Sequence, residues 1–434
     1  MKARPRALLE SMLHLGSGEM IGRLANIATV MWLGHRYGVA ILGVYALAQS
    51  VTQYLQPLID FGLRHVGARL VAVYPEAAAA IIWRVQRRRR LMAAAVLPLV
   101  AVYAAAARLP VGMKMFLVAF AAAGALYAVS LDWAAWGQGR LHLVGFAKSV
   151  VPVTILAFVF LARPAAGRVL WYAVAGNAAG FLLQGAFFRS WWRRQRESST
   201  RLRAPEIVDD ALAWQRTSVT GLAWLCYLAF NTIDVLMLGL MSNPVEVGLY
   251  SASYRVLNQV LATYYLLTQV LYPHFARHAN EDRAHMIGPR ILAPLFAAGL
   301  VIAAGISLVR RPVLILVFGA PFVAAAPLLL VLVWSIPLDF LTSYLSNAFL
   351  AWGLERRVLA STGAGAATNI VLNLVLIPAY GAWGAALNTL LSYGVLLFAL
   401  YLAARTATEI GPRRPPGQGE NQRPSRPAVE GVCP

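Results

Sequence analysis

Ionisable and amide side chains recur at helical spacing inside long apolar stretches of this sequence. Glu19, Arg23 and Asn26 stand at i, i+4 and i+7, so they share one face of a helix. Farther along, Asp234 and Arg255 lie well inside apolar runs. A charged side chain at the centre of a bilayer costs roughly 2.5–3.5 kcal/mol on insertion scales. If these runs cross a membrane, each such group is expected to face a polar path or a partner of opposite charge.

Twelve side chains are therefore candidates for a transport site. Guanidinium and amide groups can line a path, because they replace the hydrogen bonds that a polar solute loses with its water. The predicted path residues are Arg23, Gln53, Asn231, Arg255, Asn258, Gln259, Asn369 and Asn373. Carboxylates can take up a proton or a cation and couple transport to a gradient. The predicted coupling residues are Glu19, Asp60, Asp234 and Asp339.

Structural interpretations of the same residues stay open. Glu19 and Arg23 suit a neutralised pair within one helix, and the amides suit contacts that join helices. Asp60 lies near a predicted cytoplasmic end and can extend to the interface. The seven histidines show no metal-ligand spacing, and the two cysteines provide no disulfide framework. We therefore expect no cofactor, no metal and no enzymatic activity.

Composition decides which elements must position these groups. Of the 434 residues, 59% are hydrophobic and 13% charged, about half of the roughly 25% charged residues of a soluble domain. Apolar runs of about 20 residues, the length that spans a bilayer as a helix, recur throughout. The predicted fold is an all-α membrane protein with about twelve transmembrane helices. They lie at 8–33, 39–62, 91–107, 113–134, 144–162, 168–189, 213–241, 247–273, 289–309, 322–351, 357–378 and 382–404.

The distribution of basic residues predicts the orientation. The net charge is +20, and with both termini in the cytoplasm most lysines and arginines fall on cytoplasmic segments, as the positive-inside rule requires. The surplus thus indicates topology rather than a nucleic-acid partner. The run Arg87 to Arg90 is expected to hold the chain against anionic membrane lipids. The predicted location is the bacterial inner membrane.

An internal repeat divides the chain into two halves. At a constant offset of 205, Gly43 and Tyr45 match Gly248 and Tyr250, among other pairs. The predicted units are an N-terminal six-helix lobe, a cytoplasmic connector, a C-terminal six-helix lobe and a disordered cytoplasmic tail. Their ranges are 1–189, 190–212, 213–405 and 406–434. Two pseudo-symmetric lobes can enclose a central cavity.

Several segments resemble the Wzx-type polysaccharide flippases of the multidrug/oligosaccharidyl-lipid/polysaccharide exporter superfamily. The signatures are Asn-Thr-Ile-Asp-Val-Leu-Met-Leu-Gly at 231–239, Glu-Val-Gly-Leu-Tyr-Ser-Ala-Ser-Tyr-Arg at 246–255, and the stretch 369–386 with the preceding Ala-Trp-Gly-Leu-Glu-Arg loop at 351–356. The resemblance covers about 8–400. About twelve helices depart from the fourteen of the family's lipid II branch.

The resemblance implies a V-shaped bundle of two six-helix lobes. It implies transport of a polyprenyl-pyrophosphate-linked oligosaccharide, such as an O-antigen, capsule or exopolysaccharide repeat unit, to the outer leaflet by alternating access. The family's cationic cavity would include Arg23 and Arg255, with Glu19 and Asp234 as coupling groups. Partners would be membrane lipids, a polysaccharide polymerase and glycosyltransferases. A cation-coupled drug exporter and a membrane glycosyltransferase or polymerase stay open as alternatives, as does a scaffold without a solute.

Overall fold

The computed structural model describes residues 5–161, 166–196, 214–277 and 287–409, and these parts form helices without any strand. The α-helices in them are α1 (Pro5–Asp60), α2 (Leu63–Val73), α3 (Ala78–Ala106), α4 (Val111–Ala125), α5 (Asp132–Gly137), α6 (Leu141–Leu161), α7 (Ala166–Arg196), α8 (Trp214–Met241), α9 (Pro244–Arg277), α10 (Pro289–Phe318), α11 (Ala326–Val333), α12 (Ile336–Ala351), α13 (Glu355–Tyr380) and α14 (Ala382–Glu409).

The chain changes direction within α1 at Gly38. This residue has φ 79° and ψ −172°, which separates two helical segments immediately before residue 39, where the sequence predicts the start of the second helix. Backbone with positive φ is strained for any residue with a Cβ, whereas glycine adopts it freely. The first two predicted helices thus form one element with a sharp bend.

The predicted all-α membrane class is confirmed, and each of the twelve predicted segments falls on helix. In the described residues, eight helices are long and apolar enough to cross a bilayer, or nine if α11 and α12, bent by 45°, form one span. The bent α1 is one of these eight helices, and α7 and α9 are not among them. The count of twelve crossings therefore stays a prediction.

Buried side chains form three apolar clusters. The first draws on both halves of the chain and includes Leu47 and Tyr250. The second contains only residues of the first half, such as Trp133, and the third only residues of the second half, such as Phe349. The division into lobes stays a prediction, as does the cytoplasmic connector. Residues 197–213 and 410–434 lie outside the described residues, and α14 continues beyond the predicted boundary at 405.

Two glycines related by the repeat bring the halves together. A Cβ on Gly43 would lie 2.0 Å from the Pro244 carbonyl oxygen, and a Cβ on Gly248 would lie 2.3 Å from the Val39 carbonyl oxygen. Small residues allow such backbone approach between membrane helices, where packing drives association. The contact fixes α1 against α9, the two helices that carry most of the predicted path.

We expect Gly248→Ala to destabilise the purified protein by about 1–3 kcal/mol, because the added methyl group overlaps backbone atoms of α1. The measurement is the thermal unfolding midpoint in detergent. The matched control is Gly363→Ala on α13, where a Cβ meets no atom within 4 Å. Equal midpoints for the two variants would contradict the close contact.

Candidate functional site

A cavity of about 650 Å³ lies between α1, α6, α9 and α10. Its lining includes six of the twelve predicted site residues, namely Glu19, Arg23, Gln53, Arg255, Asn258 and Gln259. Asn26 and Lys148 complete the polar wall, while Ile306 and Val317 of α10 belong to an apolar wall. We call this space the basic cavity. It presents guanidinium, ammonium and amide groups beside an apolar surface, which suits an amphipathic anion.

Glu19 is neutralised at the edge of this cavity. Its carboxylate accepts hydrogen bonds from Arg23 Nη2 at 2.8 Å and from Lys148 Nζ at 2.7 Å. Lys148 belongs to α6, so the second partner comes from a distant part of the chain. One carboxylate between two cations leaves a surplus positive charge on this side. The role of Glu19 in ion coupling stays a prediction.

Arg255 joins the two halves across the basic cavity. Its guanidinium donates to the Gln49 side-chain oxygen and to Asn26 Oδ1, the latter at 3.3 Å. Both acceptors are amides on α1, and the ion pairs of the described residues do not include Arg255. Its positive charge is therefore not neutralised by a carboxylate. A guanidinium in this state is a strong site for a phosphate or pyrophosphate.

A second cavity of about 650 Å³ adjoins the first and shares Gln53, Lys148 and Pro152 with it. Its lining also includes His65 and Trp224. Burial and the neighbouring guanidinium of Arg64 lower the pKa of His65, against the opposing effect of the Asp60 carboxylate. The shared residues make the two cavities one polar region along α1 and α6.

Asp60 lies in this second cavity but is bound within the protein. Arg89 Nε lies 2.7 Å from Asp60 Oδ1, and the Tyr127 hydroxyl donates to Oδ2 at 2.7 Å. Tyr127 in turn accepts from Arg64, which pairs with Asp132 at 2.7 Å. Asp60 is buried, and this network neutralises it in place. Its role in ion coupling stays a prediction.

The position of Arg89 corrects the expectation that the whole Arg87 to Arg90 run contacts lipid. The run Arg87 to Arg90 was expected to contact anionic lipids, but Arg89 is fully buried, whereas Arg87 and Arg90 are exposed. The helical period of α3 turns one of the four side chains inward. There Arg89 also donates to the carbonyl oxygen of Ser130 at 2.7 Å.

Removal of this buried cation should have a large structural effect. We expect Arg89→Gln to destabilise the protein by about 3–5 kcal/mol, because Asp60 would remain buried without its counter-charge. Thermal unfolding in detergent measures the loss. Arg90→Gln, an exposed neighbour, is the control. If both variants unfold at the same temperature, the Asp60–Arg89 pair does not stabilise the fold.

The most deeply buried predicted residues form a separate polar cluster among α8, α9, α13 and α14. The Asp234 carboxylate accepts from Asn373 Nδ2 at 2.5 Å, from the Tyr250 hydroxyl at 2.7 Å and from Thr389 at 3.4 Å. Asn373 also donates to Asn369 Oδ1 at 2.8 Å. The carboxylate thus has hydroxyl and amide partners, and the ion pairs of the described residues leave it out.

The two other predicted residues do not line the basic cavity. Asn231 donates from Nδ2 to the Tyr227 carbonyl oxygen at 2.8 Å. Asp339 accepts from the Ser343 hydroxyl at 3.4 Å and from Tyr393. In the described part of the chain, no three His, Cys, Asp or Glu side chains stand close enough to hold a metal ion. Lys148 and Thr389 were not among the predicted site residues. Lys148 could have been found, because it interrupts an apolar stretch.

Comparisons with known structures identify the fold. The inward closed lipid II flippase MurJ superposes with a TM-score of 0.67 at 12% identity, covering 92% of this chain and 87% of that one. An inward-facing multidrug MATE transporter gives 0.66 at 13% identity and coverage of 92% and 98%. At this identity the similarity shows the fold alone. The fold defines a helical membrane protein with the architecture that these two transporters share.

Sequence comparison identifies the family. Residues 8–279 match the family model described as polysaccharide biosynthesis protein, so the chain belongs to that family. A curated relative, the probable low-salt glycan biosynthesis flippase Agl15 of Haloferax volcanii, is 21% identical over 211 residues. The match spans 48% of this chain and 45% of that relative, less than half its length. The resemblance to the polysaccharide flippases is thereby confirmed.

Proposed function

We propose that this protein transports a lipid-linked oligosaccharide across a bacterial inner membrane. The observation that carries the proposal is the basic cavity, where the described residues give Arg255 no carboxylate partner and α10 adds an apolar wall. Such a site matches a ligand with a diphosphate, a polar glycan and a hydrocarbon chain. Family membership and the flippase named among the relatives support the same substrate class.

The transported molecule is a polyprenyl-pyrophosphate-linked repeat unit of a surface polysaccharide. Its diphosphate binds Arg255 with help from Arg23, and amides such as Asn258 and Gln259 bind glycan hydroxyls. Each hydroxyl left without a partner would cost roughly 2–7 kcal/mol. Glycosyltransferases supply the substrate and a polymerase consumes it, and both termini lie in the cytoplasm.

Transport proceeds by alternating access of two lobes. The lobes contact each other at Gly43 and Gly248, and again where a Cβ on Gly62 would lie 2.3 Å from the Thr217 carbonyl oxygen. Opening one contact while the other stays closed would expose the cavities to one side at a time. Protonation or cation binding at Asp234 drives the cycle. We assign this role to Asp234 because its carboxylate is buried among uncharged hydroxyl and amide groups.

The experiment is deletion of the gene in its native host, followed by measurement of lipid-linked oligosaccharide on each face of the inner membrane. We expect accumulation on the cytoplasmic face and loss of surface polysaccharide, both reversed by the wild-type gene. A deletion strain with normal polysaccharide and increased drug sensitivity would instead identify a drug exporter. Accumulation of an unpolymerised unit on the outer face would identify a polymerase.

A further inference from the structure

Two exposed aromatic rings stack on α8. The ring centroids of Trp224 and Tyr227 lie 5.5 Å apart with an interplanar angle of 29°. The two residues are 52% and 46% exposed, although stacked aromatic rings usually bury most of their surface in a core. Neither the basic cavity nor the Asp234 cluster includes them. Their outer faces are therefore available to a ligand.

One of these rings faces the polar region. Trp224 lines the second cavity together with Gly221 and Leu228 from the same face of α8. Tyr227 lies one turn away and shares an electrostatic environment with Tyr265 and Asp339. We call the three aromatic residues Trp224, Tyr227 and Tyr265 the aromatic platform.

Tyr265 belongs to α9, so the platform draws on two helices. It is 46% exposed on α9, and Asn258, two helical turns before it, lines the basic cavity. The platform thus follows the same face of α9 that supplies amides to the basic cavity. A molecule bound at Arg255 can extend along this face to reach the aromatic rings.

The charges near the platform exclude an acidic ligand. The two strong cations that line the second cavity are each bound to a carboxylate, Arg64 to Asp132 and Lys148 to Glu19. Asp339 adds a carboxylate close to Tyr227. Among the described residues, a ligand here therefore finds aromatic surface and hydrogen-bond acceptors, and the cations Arg64 and Lys148 each have a carboxylate partner.

We propose that the aromatic platform binds a neutral sugar ring of the glycan. The face of a pyranose ring that carries C–H groups packs on an indole or phenol ring. The hydroxyl groups of the sugar remain free to form hydrogen bonds. Its hydroxyl groups then donate to Asp339. This subsite rests on the proposed function and adds a substrate class to it, namely a glycan with an uncharged residue at the position that reaches α8.

Binding of free oligosaccharides to the purified full chain tests the subsite by calorimetry. The probes are maltotetraose and fully N-acetylated chitotetraose, which are neutral, and tetragalacturonate, which is acidic. We expect a neutral probe to bind saturably. In the Arg255→Ala variant, which lacks the anion site of the basic cavity, we expect the acidic probe to bind at least about tenfold more weakly than the neutral one, equivalent to about 1.4 kcal/mol. Trp224→Ala and Tyr227→Ala should each weaken the neutral probe by about tenfold.

Two controls separate ring loss from other effects. Tyr227→Phe keeps the ring and should bind within about threefold of the wild type, a difference below 1 kcal/mol. Trp383→Ala removes an equally exposed tryptophan on α14 outside both cavities and should change nothing. The subsite is overturned if neither neutral probe binds, if the acidic probe binds the Arg255→Ala variant as tightly, or if both Trp224→Ala and Tyr227→Ala bind like the wild type.

Transport in the deletion strain separates this inference from the proposed function. If the wild-type gene restores surface polysaccharide and the Trp224→Ala/Tyr227→Ala double variant does so at the same rate, the proposed function stands and the aromatic subsite falls. If the wild-type gene does not restore it, the proposed function itself falls.

Discussion

Replacing Arg255 by alanine should reduce transport of the lipid-linked oligosaccharide by at least about tenfold. A charge-assisted hydrogen bond contributes about 1.5–3 kcal/mol, and Arg255 carries the positive charge in the basic cavity that no carboxylate neutralises. The substrate diphosphate would lose its main cationic partner. The measurement is the initial rate of surface polysaccharide synthesis in the deletion strain at matched protein levels.

Two further variants make this result specific. Arg255→Lys keeps the charge but loses the planar fork that binds a diphosphate with two hydrogen bonds, so an intermediate rate is expected. Arg36→Ala removes an exposed arginine outside both cavities and should leave the rate unchanged. Normal transport by Arg255→Ala would refute the assignment of the diphosphate site to the basic cavity.

The second large effect is expected at Asp234. Asp234→Asn removes the negative charge from a cluster in which Asn373, Tyr250 and Thr389 all donate toward that carboxylate. Without a group that takes up a proton or a cation, transport should lose its dependence on an imposed gradient. We expect the gradient-stimulated rate in proteoliposomes to fall by about tenfold or more, to the rate without a gradient, which corresponds to about 1.4 kcal/mol.

The Asp234 prediction needs a control for loss of folding. Asn in place of Asp turns an amide NH₂ toward existing donors, so the elution profile and unfolding midpoint must be compared with the wild type. Thr389→Val removes one hydroxyl contact at 3.4 Å and keeps the charge, and it should retain the gradient response. A folded Asp234→Asn variant that still responds fully to the gradient would exclude Asp234 as the coupling group.

The membrane class and much of the basic cavity could be predicted from the sequence. Polar side chains are rare in apolar runs, so each one is a candidate for a functional or pairing role. Helical spacing places Glu19, Arg23 and Asn26 on one face. Helical spacing identifies polar residues that share a face of one helix. The polar faces of α1 and α9 were each predicted in this way, and both line the basic cavity. The same reasoning also found Asp234, because a carboxylate in an apolar run needs partners wherever the chain supplies them.

The pairing of those charges could not be predicted, because it depends on distant segments. Lys148 reaches Glu19 across 129 residues, and Arg89 reaches Asp60 from a segment predicted to lie in the cytoplasm before the helix at 91–107. A run of four arginines looks uniformly exposed in a sequence, yet the helix turns one of them inward. The aromatic platform carries no sequence signal, since tryptophan and tyrosine are common at membrane interfaces.

The two amides that hold Arg255 have a kinetic consequence. Gln49 and Asn26 accept hydrogen bonds from the guanidinium, so an anion that binds there would exchange one set of hydrogen bonds for another. The amides act as a built-in competitor that lowers affinity without removing the charge that attracts the ligand. A carrier benefits from this arrangement, because residence time falls as affinity falls.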